Sequence, residues 1–433
     1  MNKCTPELDR FPHICSWFEQ GDEGLSLTID ETPASSVSYN GIRICSGFDP
    51  EGEAFQRVSM LPSSISELTC FGVGNGLLLD KLVRLPNLKR VQIVLLDPRL
   101  SYLLFNHYEH SWLSSPKVEL VTSREIRRLP PHFVEIVGEV HAAGSEADAI
   151  RLELACHYFS LQSSLGSKHY GKQSRKRYDG PTRIAQVRPF IREDGDVAEL
   201  FGTCEGGEAV VVGAGPSLTL KSEELKKRRS KLTVVATMSG IKPLHQQGIV
   251  PDYVVAVDAS PALYNQFAGL EAHLAHVPLI YFPTVHTSVL RGWPGPRFVA
   301  FSDIASGVTP LNDEFERGRL ETDSSVSISA ASLAVRLGGR RIYLIGLDFA
   351  HIDGRSHGAA AESLVEKAGF DPLTGLHWRI ESYSDALLQT TPKLMSHCRA
   401  METFVSEASG VEFLNLSNLG AKIDGVGLVQ DEP

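Results

Sequence analysis

From Glu208 onward, short apolar runs and amphipathic segments alternate with a regularity that few architectures accommodate. The runs EAVVVG, LTVVAT, DYVVAVD, PLIYFP, RFVAF, RIYLIG and VEFLNL read as strands. Between them, SEELKKRRS, GIKPLHQQG, ALYNQFAGLEAHL, SVSISAASLAVRLG and a long stretch near 384–409 read as helices. Strands buried on both faces are continuously apolar, and helices at this spacing serve as crossovers, so the pattern predicts a Rossmann-like, doubly wound, mainly parallel sheet. Ligands of such sheets sit beyond the carboxyl ends of the strands, which directs attention to the residues that follow each run.

The first strand leads into Gly213-Ala214-Gly215-Pro216-Ser217. Two glycines allow a sharp turn and close approach of another group, and Pro216 suits a first helical turn. A helix start with a nearby hydroxyl is a possible phosphate cradle. The turn is neither a P-loop, for it lacks Gly-Lys-Ser/Thr, nor a dinucleotide fingerprint, for Leu218 stands at the third glycine position and Thr237 and Met238 end the next strand where an acid should be. Beyond DYVVAVD, Asp258 and Ser260 suit either a ligand-binding edge or the cap of a following helix. Beyond RIYLIG, Asp348, His351, Asp353 and His357 share one loop, a set suited to general-base or metal chemistry, although Asp353-Gly354 also reads as a turn. The spacing matches no standard metal site.

Before 207 the pattern is weaker. SLTID, SVSYN and GIRICSG read as short strands, followed by ELTCFGVGNG, a helical DKLVRL and RVQIVLLDP. FGVGNG and Asp97 suggest an adenosylmethionine-type crevice, but too few further strand and helix repeats are evident for a complete methyltransferase sheet, which favours a structural role. A helix is expected near 146–164, and KHYGKQSRKR reads as a basic connection. The expected domains are a smaller α+β or α/β unit over 1–165, a basic linker or helical connection over 166–206 and a Rossmann-type catalytic domain with a helical C-terminal part over 207–433.

Hydrophobic residues make up 42% of the chain, enough for real cores, and the net charge of −10 gives no reason to expect nucleic acid as partner. Seven cysteines without a CxxC pair indicate neither zinc nor a disulfide framework. The first twenty residues lack an apolar signal core and no run reaches membrane-spanning length, so a cytoplasmic protein without membrane insertion is expected.

Taken in order, GAGPSL, GI-PD--VAVD, SVSISAASLAVRLG-RRIYLIGLDFA-IDGRSHG and FLNLSNLGAKIDG resemble the central domain of the Maf (motility-associated factor) flagellin glycosyltransferases and the wider MptE-like family. The likeness spans roughly 207–425, and GFDPEGEAF and FGVGNG look like the segment that precedes that domain. GxGPS and Ile-Gly-Leu-Asp-Phe are also similar to bacterial sialyltransferases. The resemblance implies transfer of a nonulosonic acid from a CMP-linked donor to Ser or Thr of flagellin, with no required cofactor. It implies that Gly213, Ala214, Gly215, Pro216 and Ser217 hold the nucleotide phosphate, with Thr237, Asp258, Ser260 and Ser325 around the donor. Asp348, His351 and His357 are the catalytic candidates, with His357 as base and His397 as its alternative. Asp323-Ser324-Ser325-Val326 stands where many Maf proteins carry Gly-Gly-Ser-Val, and Thr390, Thr391 and Pro392 stand where the sialyltransferases carry their histidine. Two further readings are a pterin diphosphokinase using ATP and Mg²⁺ on Asp258 and Asp348, and a non-catalytic flagellin-binding or assembly factor.

Overall fold

The computed structural model describes residues 6–20, 26–29, 36–169, 180–302, 311, 314–323, 325–355, 370–371 and 376–429. The chain forms two compact units, one built on Met1–Ala155 and the other on Cys156–Asp371 and His377–Pro433.

The first unit opens with a helix and a small antiparallel sheet (Thr28–Ile29, Val37–Tyr39, Ile42–Arg43). Helix α1 (Pro50–Ser59) starts where the Asp49 side chain accepts from the Gly52 N–H at 2.8 Å. Four parallel strands follow: β1 (Glu67–Phe71), β2 (Arg90–Leu95), β3 (Val118–Thr122) and β4 (Phe133–Glu135). Helices α2 (Leu77–Val83), α3 (Pro98–His107) and α4 (Val137–Ala142) accompany them. The spatial order is β3-β2-β1-β4, so the sheet turns back on itself between β1 and β4. This is a fuller α/β sheet than the sequence suggested. VELVT and HFVEIV both contribute strands, and the three residues of β4 are too few to show a period.

The large sheet of the second unit has nine strands among the described residues. In chain order these are β5 (Gly195–Asp196), β6 (Glu208–Val212), β7 (Leu232–Thr237), β8 (Tyr253–Ala256), β9 (Leu279–Tyr281), β10 (Arg297–Val299), β11 (Arg341–Ile345), β12 (Glu412–Asn415) and β13 (Gly427–Leu428). They lie side by side as β13-β12-β11-β6-β7-β8-β9-β10-β5, and every neighbouring pair is parallel. Val210, Val211 and Val212 of β6 are fully buried, as are Leu344 and Ile345 of β11, which explains their unbroken apolar runs.

Helix α5 (Pro216–Leu220) follows β6, and the long, apolar α6 (Val326–Arg336) precedes β11 and packs on β6, β7 and β8. Among the described residues no helix is long and apolar enough to cross a membrane.

Two expectations change. The helix expected over 384–409 is a hairpin strand (Leu387–Gln389, paired with Arg379–Glu381) and then α7 (Pro392–Glu407), because Thr391 caps and Pro392 takes the first helical position. ALYNQFAGLEAHL is a 3₁₀ turn and a separate four-residue helix, divided at Gly269 with φ +85°. Within 166–206, read as a basic linker or helical connection, lie the helix Gly180–Glu193 and the edge strand β5, which joins the second unit's sheet.

Candidate functional site

In the second sheet the chain runs from β6 outward through β7 to β10 and then returns to β6's other side with β11. The sheet's topological switch therefore lies between β6 and β11, where an open parallel sheet leaves a crevice beyond its strand ends. The turn that follows β6 is Gly213–Ser217, and the one that follows β11 is Gly346–Asp348. Two motifs separated by more than a hundred residues meet there.

The meeting is a closed joint. The Gly213 N–H donates to the Ile345 carbonyl at 2.9 Å and the Gly215 N–H to the Gly346 carbonyl at 2.8 Å. The Ser217 N–H donates to Asp348 Oδ2 at 2.9 Å, and the Gly346 N–H donates to Ser217 Oγ at 2.9 Å. A Cβ on Gly213 would lie 2.3 Å from the Gly346 oxygen, and one on Gly215 would lie 2.4 Å from Asp348 Oδ2. Glycine is required here by close approach. Gly346 itself has φ +68°, where glycine alone is at ease.

This geometry revises the phosphate cradle. The N–H groups of Gly213, Gly215 and Ser217 are spent on the neighbouring turn, and α5 is a single short turn of helix with little dipole to offer. Asp348 occupies the place expected for an anion. Its carboxyl is buried, and burial pushes its pKa up to about 6 against the opposing effect of the Ser217 hydroxyl and N–H. Pro216 and Ser217 are buried with it, and Ala214 is 5% exposed.

All strands being parallel, their carboxyl ends form one edge. Beyond β7, Thr237 Oγ1 donates to the Val212 carbonyl at 3.2 Å and lies 3.3 Å from Ser239 Oγ. Beyond β8, exposed Asp258 accepts from the Ser260 N–H at 2.9 Å, and Ser260 Oγ accepts from the Ala262 N–H at 3.3 Å. Ser260 thus caps the 3₁₀ helix Pro261–Gln266, while Asp258 closes a turn onto Ser260. Beyond β9, Thr284 Oγ1 donates to the Val257 carbonyl at 2.7 Å. Two residues on, His286 caps a helix by accepting the Ser288 N–H on Nδ1 at 3.1 Å, which puts the proton of the neutral ring on Nε2. Ser325 caps α6, accepting from the Ser327 N–H at 3.3 Å. Because α6 runs back to feed β11, its N-terminus lies at the same edge.

The remaining candidates divide. His351 is buried, and its backbone N–H donates to the Gln389 carbonyl at 2.8 Å. Asp353 and Gly354 have φ of +50° and +75° and close the two-residue turn between Ile352 and Arg355. Thr390 Oγ1 donates to the Phe349 carbonyl at 2.7 Å, and Thr391 caps α7, so both are structural. His397 lies on α7. His357 falls outside the described residues. Sequence reading missed Ser239, Thr284 and His286, although each follows a strand, the signal that marked the others.

Residues 183–354 match the family described as 6-hydroxymethylpterin diphosphokinase MptE-like. The match runs from β5 past β11 and includes both halves of the joint. A search of curated proteins finds no match. Among solved structures, a Maf glycosyltransferase from Magnetospirillum magneticum AMB-1 is similar at 17% identity, with a TM-score of 0.47, over 98% of this chain and 73% of that one.

Proposed function

We propose that this chain, MptE-like over residues 183–354, is a glycosyltransferase that moves a nonulosonic acid from a CMP-linked donor to Ser or Thr hydroxyls of flagellin. The observation that supports it is the switch-point joint. GAGPS and GLD, two of the motifs that resemble those of the Maf proteins, are held together at the crevice of a parallel sheet, with a row of hydroxyls and an exposed carboxylate beside them.

On this reading the donor lies along the strand-end edge. Since the glycine-turn N–H groups are engaged, the hydroxyls of Ser260 and Ser325 face the phosphate, with Thr237 buried behind them and bonded to the Val212 carbonyl, and Asp258 faces the ribose or sugar hydroxyls. In the reaction the acceptor oxygen bonds to the anomeric carbon while the bond from that carbon to the phosphate oxygen breaks. The leaving CMP keeps the electron pair, and a base takes the acceptor proton. His357 is proposed as that base. Asp348 acts as a positioning residue that holds Ser217 and the turn, with His351 in the same loop.

The diphosphokinase alternative needs Asp258 and Asp348 as magnesium ligands. They fit that task poorly: Asp348 is buried and capping Ser217, and its raised pKa disfavours the charged form a hard cation requires. Calorimetry with CMP, and with ATP in the presence and absence of Mg²⁺, separates the readings. Metal-independent CMP binding, with a mass increase on flagellin when the CMP-linked donor is supplied, is expected. Binding of ATP only with Mg²⁺ and none of CMP would overturn the proposal in favour of the diphosphokinase, and no nucleotide binding would favour the assembly factor.

A further inference from the structure

A donor phosphate needs a counter-charge that the glycine turns do not supply. In the second unit the turn's N–H groups are spent, and Asp348 stands in front of Ser217. The first unit repeats the arrangement in its turn after β1, Gly72–Gly76. There the Val73 and Gly74 N–H groups donate to Glu139 Oε2 at 2.8 and 2.7 Å, and the buried Oε1 of that carboxyl has no hydrogen-bond partner among the described residues. At either turn a phosphate meets an acid already in place. The charge has to come from a side chain at the strand-end edge of the second sheet.

The residues that follow the strands narrow the choice. Beyond β6, β7, β8, β9, β11 and β12 the chain reads GAGPS, MSGIK, VDASP, FPTVHT, GLDFA and LSNLG, and Lys242 is the one lysine or arginine in these segments. It lies close to the joint. Gly240 packs so tightly on the end of β6 that a Cβ there would lie 3.1 Å from the Val212 oxygen and 3.2 Å from the Gly213 oxygen. The helix that follows, Ile241–Gln246, packs against α5, which carries Ser217. The Met238–Gly240 turn packs against the 3₁₀ helix that Ser260 caps. Ile241, Pro243 and Leu244 are buried, whereas Lys242 is half-buried. Helical side chains lean toward the N-terminus of their helix, and this helix begins at the carboxyl end of β7, so the Lys242 stem leans toward the strand-end edge. Among the described residues Lys242 makes no ion pair and no hydrogen bond.

We propose that Lys242 binds the phosphate of the nucleotide donor, an inference that rests on reading the second unit as a nucleotide-dependent transferase. Its ammonium supplies the charge, and the hydroxyls of Ser260 and Ser325 supply further hydrogen bonds. A lysine suits the task because it is a compact point charge with three donors on a flexible stem. As the bond from the anomeric carbon to the phosphate oxygen breaks, negative charge grows on that phosphate, so the same ammonium stabilises the leaving group.

Calorimetry on the full chain with CMP and with cytidine, which lacks the phosphate, tests the assignment. Lys242→Met keeps an apolar stem and removes the charge; it is expected to weaken CMP by roughly tenfold or more and to leave cytidine unchanged. Lys242→Arg should restore most of the CMP affinity, and both variants should melt like the parent protein. CMP held as tightly by Lys242→Met as by the parent, or an equal loss for cytidine, would overturn the role of the lysine while leaving the donor reading intact. A parent protein that binds ATP but not CMP would instead overturn the donor reading, and the lysine is then judged on ATP. The same loss in Lys242→Met would support it, and an unchanged affinity would overturn it. Binding of neither nucleotide would overturn both.

Discussion

Replacing Glu139 by Gln tests whether a buried acid in the glycine turn governs the first unit's stability. Its folded pKa is pushed from 4.5 up to about 7, mainly by burial, against the Gly74 and Val73 N–H bonds and with the Asp97 charge adding to the rise. A carboxyl raised in the folded state binds an extra proton there, so the native form is favoured below about 4.5 and loses ground as pH climbs through 7. The gap corresponds to roughly 3 kcal/mol by pH 8. Glutamine keeps an acceptor for both N–H groups, and its amide, like the neutral acid's hydroxyl, takes the unpartnered position. The two proteins should therefore be about equally stable at pH 4.5, and Glu139→Gln the more stable at pH 8. Hydrogen exchange by mass spectrometry of a peptide containing Val73 and Gly74 reads this directly, since intrinsic exchange cancels when the two proteins are compared at one pH. Exchange in the variant should be about 100-fold slower than in the parent at pH 8 and equal near pH 4.5. A ratio that stays constant across this range would show that Glu139 does not change charge there.

Two other substitutions probe the second unit. Gly213→Ala drives a Cβ to 2.3 Å from the Gly346 oxygen, a backbone atom, and 2.5 Å from Leu347 Cδ2. It should cost about 3 kcal/mol and lower the melting temperature by roughly 6–10 °C, whereas Gly248→Ala, at φ +71° with open space around it, should cost only about 1 kcal/mol. Equal losses would mean that close approach is not what the joint requires. Ser325→Ala removes the α6 cap and should cost about 1 kcal/mol in urea unfolding; an unchanged midpoint would refute the capping role.

The parallel sheet was legible because β6, β7, β8 and β11 are buried on both faces and so carry unbroken valine, isoleucine and leucine runs. The two-residue strands β5 and β13 were not, since no periodicity exists over two residues. The 391–392 boundary was written in Thr-Pro, yet the apolar residues around it masked the signal. Strand ends pointed to residues to inspect, but not to their partners. Nothing local to Ser217 announces that Asp348 will fill the space in front of it, because that contact depends on which strand returns beside β6. The same holds for Glu139 and the Gly72–Gly76 turn. Turn and cap residues such as Asp258, Ser260 and Ser325 were equally readable as ligands, for a side chain that accepts a backbone N–H and one that binds a hydroxyl are the same residue types.

The joint between Ser217 and Asp348 closes a separation of 131 residues, and that fixes an order of events during synthesis. β6 leaves the ribosome early and can pair with β7 on one side at once, but its other edge waits for β11. Until then an apolar strand ending in three valines presents unpaired N–H and C=O groups, a template for pairing with another chain. Nascent chains halted before residue 341 should consequently be the aggregation-prone species, held soluble by chaperones, and release into the native sheet should come only once the Gly346 turn can dock on Gly213.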